Sequence, residues 1–491
     1  MVIEKNRFVY PKIGDVFFTT SGGTPSRKKK EFYENGAILW VKSGELNSNV
    51  ITDTEEKITV QAIQESSAKI FPKGTLLIAL YGATIGKVAF LGVEAATNQA
   101  VCGIFETQWI DHLYTYYFFK HKRRELINLG VGGAQPNISQ GILKSQIFPL
   151  PPLPEQRAIV AKLEALFSEL DAGVASLQKA QQQLKVYRQA VLKKAFEGEL
   201  TREWREQQTD LPTAEELLEE ITMQRDSWLQ SEISDGNREA KRISNKIKKN
   251  KEQVSQGHNI PVTWKWTTFI NALKFVVDCH NKTAPYEDKG IFLVRTTNIR
   301  NGRLNLTEKI KYVSEETYEY WSRRAYPSEG DIIFTREAPM GEAAIIPPRT
   351  KICLGQRTML LRTFKELLLP QYLLYNILSE IFQQRMTKGA IGTGVKHLRV
   401  GDVEKLSFPI CSPQEQHQIV QEIESRLSVC EQLEKDIAAN LQRAERLRQS
   451  ILQRAFAGEL LTEAELAACR AEADWEPAEV LLERIKQASK K

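Results

Sequence analysis

Apolar residues recur at every seventh position along two stretches of the chain. In the first stretch they fall at Leu163, Leu170, Leu177, Leu184 and Val191, with a second row at Ile159, Leu166, Ala180 and Tyr187. Rows offset by three and four residues form the seam of a coiled coil, so the spacing predicts a long helix with an apolar edge that needs a partner. The pattern returns at Ile419, Ile423, Leu433, Ile437, Leu447 and Ile451, with Arg426 and Asn440 as polar seam positions. Each stretch starts at a proline strip, "PLPPLPEQRAIV" from Pro149 and "FPICSPQEQHQIV" from Phe408. Proline suits the first helical turn, where its fixed φ helps and its missing N–H is not needed, so Pro154 and Pro413 predict helix starts. Ser412 and Glu415 also have the spacing of a reciprocal capping box. Gly198 and Gly458 predict the helix ends, as residues free to adopt positive φ.

The two stretches are copies. Aligning Glu155 with Glu415, an offset of 260 residues, places Ile159-Val160 on Ile419-Val420 and Arg188-Gln189 on Arg448-Gln449. The same offset places "AFEGEL" from Ala195 on "AFAGEL" from Ala455. Agreement without a gap over this length indicates a tandem duplication. The other copy is then the natural partner for each seam.

The segments preceding the helices are related more loosely. "LWVKSGEL" from Leu39 parallels "FLVRTTNI" from Phe292, and "FPKGTLLIALYGATIGKVAF" from Phe71 parallels "YPSEGDIIFTREAPMGEAAI" from Tyr326. "VGGAQPNIS" from Val131 parallels "IGTGVKHLR" from Ile391. Short β-type runs punctuated by glycine, then a helical run such as "DHLYTYYFFKHKRREL", predict an α+β module. The expected organisation is a module over residues 1–150, a long helix over 151–201 and a connector with a short helix over 202–260. A second module (261–409), a second long helix (410–461) and a helical tail (462–491) follow. The lysine run "KRISNKIKKNK" in the connector reads as a solvated face, with non-specific DNA contact as the sharper option.

Composition narrows the functional classes. Of 491 residues, 26% are charged and 42% hydrophobic, an ordinary globular balance with a formal net charge of +6. This charge permits a nucleic-acid partner without demanding one. No apolar run approaches the ~20 residues of a membrane span, and the N-terminus lacks a signal-peptide pattern, so a cytoplasmic protein without a membrane partner is expected. The six cysteines are scattered and predict buried, reduced thiols, with neither a disulfide frame nor a metal site. "GATIGKV" from Gly82 is one residue short of a phosphate loop and has Val88 where a hydroxyl is required, so it predicts a turn between strands. Neither a metalloprotease His-Glu pair, a G-x-S-x-G elbow, a G-x-G-x-x-G fingerprint nor an Asn-Pro-Pro-Tyr-like tetrapeptide occurs. A chain without catalysis or a cofactor of its own is expected.

With its twin variable modules, the doubled Pro–Glu–Gln helix start and the doubled Phe–x–Gly–Glu–Leu helix end, the chain resembles the specificity (S) subunit of type I restriction–modification systems. The resemblance covers nearly the whole chain. It implies two α/β target recognition domains separated by two long helices in an antiparallel coiled coil, with pseudo-two-fold internal symmetry. It further implies that each module reads one half of a split, asymmetric site in double-stranded DNA. The partners implied are two methyltransferase (M) subunits, which bind S-adenosylmethionine and methylate adenine, and restriction (R) subunits, which use ATP and Mg. A coiled-coil scaffold and a two-headed DNA-binding regulator are the alternatives, and the duplicated polar loops and the doubled helix ends argue against them.

Base readout needs polar side chains aimed from loops at groove edges. Loops that recur between the copies nominate Lys42, Ser43, Glu45, Tyr81, Gln99, Gln135 and Asn137 in the first module. In the second they nominate Arg295, Thr296, Asn298, Arg336, Gln356, Arg357, Lys396 and His397.

Overall fold

The computed structural model describes residues 7–131, 136–249, 254, 257–280, 282–388, 390 and 396–488. The chain forms two compact units, one made of residues up to Gln178 together with those from Ala438 onward, the other of Lys179–Ile437. The 44-residue helices Leu153–Phe196 and Pro413–Phe456 each contribute to both units. Each unit therefore closes around chain segments far apart in sequence.

The first unit has two sheets. One runs in the order Thr19–Ser21, Val101–Ile104, Leu76–Ala79, Val88–Leu91, Val50–Ile51. The other runs Lys57–Ile58, Ile38–Val41, Ala95–Thr97, Ile70–Phe71. Leu76–Ala79 is buried at every position, which explains why its sequence is a continuous apolar run instead of an alternating one. The helix His112–Asn128 brings Tyr114 and Phe118 onto Phe148, with Phe119 against Phe118, and the second long helix adds Phe456 to the same core.

The second unit repeats this plan. Its larger sheets run Phe275–Asp278, Thr358–Arg362, Ile332–Thr335, Ala343–Ile345 and Lys311–Val313, Ile291–Val294, Ile352–Leu354, beside two two-stranded ones. The helical run divides into Pro370–Leu378 and Glu380–Lys388. Tyr372 donates to the Pro409 carbonyl at 2.9 Å, as Tyr114 donates to that of Pro149 at 2.8 Å.

The helix starts explain the Pro–Glu–Gln motif. Gln156 accepts from the Asp111 N–H and donates to the Pro151 carbonyl, while Gln416 accepts from the Leu369 N–H and donates to the Leu367 and Cys411 carbonyls. In each unit this glutamine ties the helix start to the module before it. The expected capping box is only half made. Ser412 Oγ accepts from the Glu415 N–H, but the Glu415 carboxylate turns away to Trp264, Thr201 and Arg205. At the far ends Gly198 and Gly458 both have φ +77°, and the doubled bonds Gly198 N to Ala195 O with Glu199 N to Lys194 O, and Gly458 N to Ala455 O with Glu459 N to Arg454 O, are Schellman motifs.

Within each unit the two helical segments run antiparallel. In the first, Asp171 pairs with Arg448 while Lys162 pairs with Glu465, just past the helix end. In the second, Arg188 pairs with Glu434 at 3.1 Å while Thr201 bonds Glu415. The seam row Leu163, Leu170, Leu177, Leu184, Val191 is buried or half-buried throughout. The other row follows the expectation only in part. Ile159 is buried and Leu166 and Ala180 are half-buried as expected, but Tyr187 is 43% exposed, and Phe167, Val174, Gln181 and Arg188, one position on, also turn inward. In the second helix Ile423, Cys430, Ile437 and Ile451 are inside, whereas Leu433 and Leu447 are 45% and 49% exposed, and Arg426 and Asn440 are also outside.

The described part of the connector is folded: its lysine run exposes Lys241, Arg242, Lys248 and Lys249 on one face of a helix, and Asn250 and Lys251 lie outside the described residues. Arg238–Lys249 buries Ala240, Ile243 and Ile247 among Phe275, Val277 and Ile333, and Lys246 pairs with Glu404 at 2.5 Å. Before it, the helix Ala214–Ser234 buries Arg225, which donates to the carbonyls of Ile270, Asn271 and Leu273. All six cysteines are buried and outside any disulfide. "GATIGKV" forms the turn between Leu76–Ala79 and Val88–Leu91.

Candidate nucleic-acid interface

Four loops meet at one end of the sheets in the first unit. The loop after Ile38–Val41 joins the turn at Asn98, whose N–H bonds the Val41 carbonyl at 3.0 Å. That turn joins the loop after Leu76–Ala79 through Leu80 N to Ala100 O, 2.8 Å. The last loop is stitched on by Gly82 N to Pro136 O and Ile138 N to Leu80 O, with Tyr81 and Asn137 as bridge partners.

The second unit uses the same stitches on different residues. Gly355 N bonds Val294 O at 2.7 Å, Arg336 N bonds Arg357 O at 2.8 Å and Leu398 N bonds Arg336 O at 3.1 Å, while Glu337 bridges His397. The four loops carrying the nominated residues thus converge in each unit. Gln135 lies outside the described residues.

Side-chain placement divides the nominated set. Glu45 and Asn298 hold equivalent positions and do the same work. The Glu45 carboxylate accepts from the Lys42 and Glu55 N–H groups, and Asn298 Oδ1 accepts from the Arg295 N–H at 3.1 Å. Asn298 also donates to the Glu308 carbonyl and is 1% exposed, so its amide shapes the loop instead of facing outward. Thr296 is likewise buried, with its hydroxyl on the Ala338 carbonyl. Lys42 is held by Glu55 at 2.9 Å and Glu56 at 3.0 Å, and these hydrogen bonds raise its pKa. Arg295 reaches the Lys309 carbonyl, Arg336 the Leu398 carbonyl, and Arg357 pairs with Glu337.

The outward residues are fewer. Tyr81 is 41% exposed, and Gln99, Asn137, Arg357 and Lys396 are exposed as well, while Ser43, Gln356 and His397 are half-buried. Gln99 accepts from the Thr24 hydroxyl and Gln356 from the Thr283 hydroxyl at 3.2 Å, so each unit orients one glutamine with one threonine. Sequence reasoning missed both threonines. A signal existed: Gly22-Gly23 precedes Thr24, and a Cβ on Gly22 would stand 2.1 Å from the Thr97 carbonyl oxygen, so the chain can pass there only as glycine.

Among the described residues, no three or more His, Cys, Asp or Glu side chains gather to hold a metal. Nor is any described helix long and apolar enough to cross a membrane.

A duplicated α+β chain, with a polar loop cluster at each module and long helices binding each module's core, is built for two-part recognition. The family model for the type I restriction modification DNA specificity domain matches residues 7–179 and again 276–443. The chain belongs to this family, and it is a specificity subunit of the type I restriction–modification class. It is 26% identical over 373 residues to the type I restriction enzyme EcoBI specificity subunit of Escherichia coli, covering 74% of this chain and 69% of that one. It is 24% identical over 439 residues to the E. coli EcoDI specificity subunit, covering 87% and 88%. Among solved structures it matches a chain from a study of complex assembly and conformational transition of the type I R-M system, with TM-score 0.64, 17% identity and coverage of 92% and 98%. It also matches the HsdS subunit from Thermoanaerobacter tengcongensis, with TM-score 0.51, 16% identity and coverage of 93% and 98%.

Proposed function

We propose that each unit presents one target recognition domain, residues 1–150 in the first and 261–409 in the second, to one half of a split double-stranded DNA site. The observation supporting this is the pair of stitched loop ends. Backbone bonds repeat between them, and each keeps one glutamine, Gln99 or Gln356, while the neighbouring tips differ, Tyr81 and Asn137 against Glu337 and His397. A constant frame with variable polar tips suits two readers of unlike sequences. The chain itself does no catalysis. It positions two methyltransferase subunits that bring S-adenosylmethionine, and restriction subunits that bring ATP and Mg. The setting is the cytoplasm.

Mapping of methylated adenines in genomic DNA, with and without the gene for this chain, tests the reading. A bipartite motif that vanishes on deletion and returns on complementation is the expected result. A methylome indifferent to the deletion overturns it.

A further inference from the structure

In the first unit a groove of about 550 Å³ opens between the helix His112–Asn128 and the long helices. Lys87, Lys120, Arg123, Arg124 and Arg448 line it, against one acidic lining residue, Glu445. Arg448 lies over the Phe167 ring and pairs with Asp171, and Lys87 donates to Asn47 Oδ1 at 2.6 Å. Burial first, and then Arg448, lower the pKa of Lys120. Five cations around one opening mark a place for a polyanion.

The groove adjoins the loop end. Asn47 and Asn49 on its wall continue the loop begun by Lys42–Glu45, and Gly86 and Lys87 close the loop begun by Tyr81. An anionic strand leaving those loops would enter the groove directly.

The second unit has the same frame with most of the cations replaced; Arg188 keeps the place of Arg448 and is paired with Glu434 at 3.1 Å. Lys87 O accepts from Ala79 N, and the matching bond is Thr335 N to Glu342 O, so a glutamate replaces the lysine. That glutamate accepts from the Asn301 N–H at 2.7 Å. Counting from the equivalent tyrosines 114 and 372, Leu378 replaces Lys120, and it packs so closely that a Cβ on Gly302 would stand 2.8 Å from it. Gly86 packs on Arg123, whereas its counterpart Gly341 packs on Met386. Gln189, the counterpart of Gln449, caps the helix Glu380–Lys388 by accepting from the Glu380 N–H.

We infer that the groove carries the phosphate backbone of bound duplex DNA past the loop end of the first unit alone, so that the two recognition domains hold their half-sites by unequal electrostatic grips. The inference rests on the DNA-recognition reading above. Phosphate contacts fix position and carry no sequence information, so they can differ between units without affecting either half-site preference.

The test uses the assembly purified through a tag on this chain, with a random-sequence duplex titrated across a salt series. Each lost phosphate contact flattens the plot of log affinity against log salt by about 0.9, so Lys87→Ala with Arg124→Ala should flatten it by about 1.8. Lys87→Arg should keep the parent slope, and the methylated motif should not change. If the alanine pair fails to fold, Lys87→Gln with Arg124→Gln serves. A variant slope equal to the parent's overturns the track while leaving the DNA reading intact. An unchanged slope with loss of co-purifying subunits assigns the groove to an acidic protein segment and overturns the track as well. A parent assembly that binds no duplex overturns both.

Discussion

Arg205 Nη1 lies 2.6 Å from Oε1 of Glu415, a carboxylate buried at the start of the second long helix. Thr201 donates to the same oxygen at 2.8 Å, and Trp264 Nε1 donates to the other at 2.8 Å. The end of one long helix, the start of the other and the entry to the second recognition domain therefore meet on a single charge. Glu415→Ala leaves the guanidinium and the indole N–H without that partner and should cost about 3–5 kcal/mol. Adding Arg205→Met should recover part of the loss. Urea unfolding monitored by tryptophan fluorescence measures both, and a single variant within 1 kcal/mol (about fivefold in the equilibrium constant) of the parent refutes this role.

Glu155, the counterpart in the first unit, is solved less well. Arg7 Nε stands 2.9 Å away, yet neither carboxylate oxygen is in hydrogen-bond geometry. Burial outweighs the pull of Arg7 and raises the carboxyl pKa. The folded state then binds this proton more tightly than the unfolded state. The contribution of Glu155 to stability is complete below its ordinary value of 4.5 and declines as pH rises through its folded pKa. Glu155→Gln should remove that decline from the stability–pH profile, and a variant with the parent's slope in that window would sink the assignment.

The seam is tested by two residues of similar bulk. Ile437 is buried and Leu433 is 45% exposed. Ile437→Ala should destabilise by about 2–4 kcal/mol through lost packing, and Leu433→Gln should stay within about 0.5 kcal/mol. Equal melting shifts in the two variants would restore the register read from spacing alone.

Asn298 and Lys396 separate shaping from reading. Asn298→Ala removes the bonds that close the loop from Arg295 to Glu308, so it should weaken recognition of the whole second half-site and lower the melting temperature. Exposed Lys396→Ala should leave stability unchanged and relax one position at about 1–3 kcal/mol, if it reaches a base. Methylome profiles of the two variants decide. Relaxation at one position by Asn298→Ala would overturn the division.

The duplication predicts a self-pairing fragment. The first unit draws Ile451, Phe456, Leu466, Leu481 and Ile485 into its core. A fragment ending at Ser234 supplies repeat counterparts of these segments in a second copy, including the helix from Ala214 that matches the one from Ala478. It should form a symmetric dimer and direct methylation at a palindromic site. A fragment ending at Gln208 lacks that helix and should dimerise less tightly. Sedimentation analysis showing the longer fragment as a folded monomer would contradict the prediction.

Much was legible in the chain because it is local or repeated. The helix ends at Gly198 and Gly458 follow from the need for positive φ, and the starts at Pro413 and at Leu153, one residue before Pro154, from proline's place in a first turn. The offset of 260 residues identified the duplicated helices, and looser parallels at varying offsets the duplicated α+β plan, without coordinates. The loops of the candidate interface were legible too, since stitched loops on a shared frame keep their landmarks when their lengths vary.

What remained undetermined depends on neighbours. Leu433 and Glu434 compete for one seam row, and only the packed partner selects Glu434, which pairs with Arg188, because adjacent helical positions differ by about 100° in direction. The sequence of Asn298 suits a base contact, but the fold spends its amide on Arg295 and Glu308, since a buried polar group must be satisfied where it lies. Lys87, Arg123 and Arg448 give no common signal along the chain. Folding brings these three lysine and arginine side chains to one groove, and charges act through distance in space, not through position in sequence.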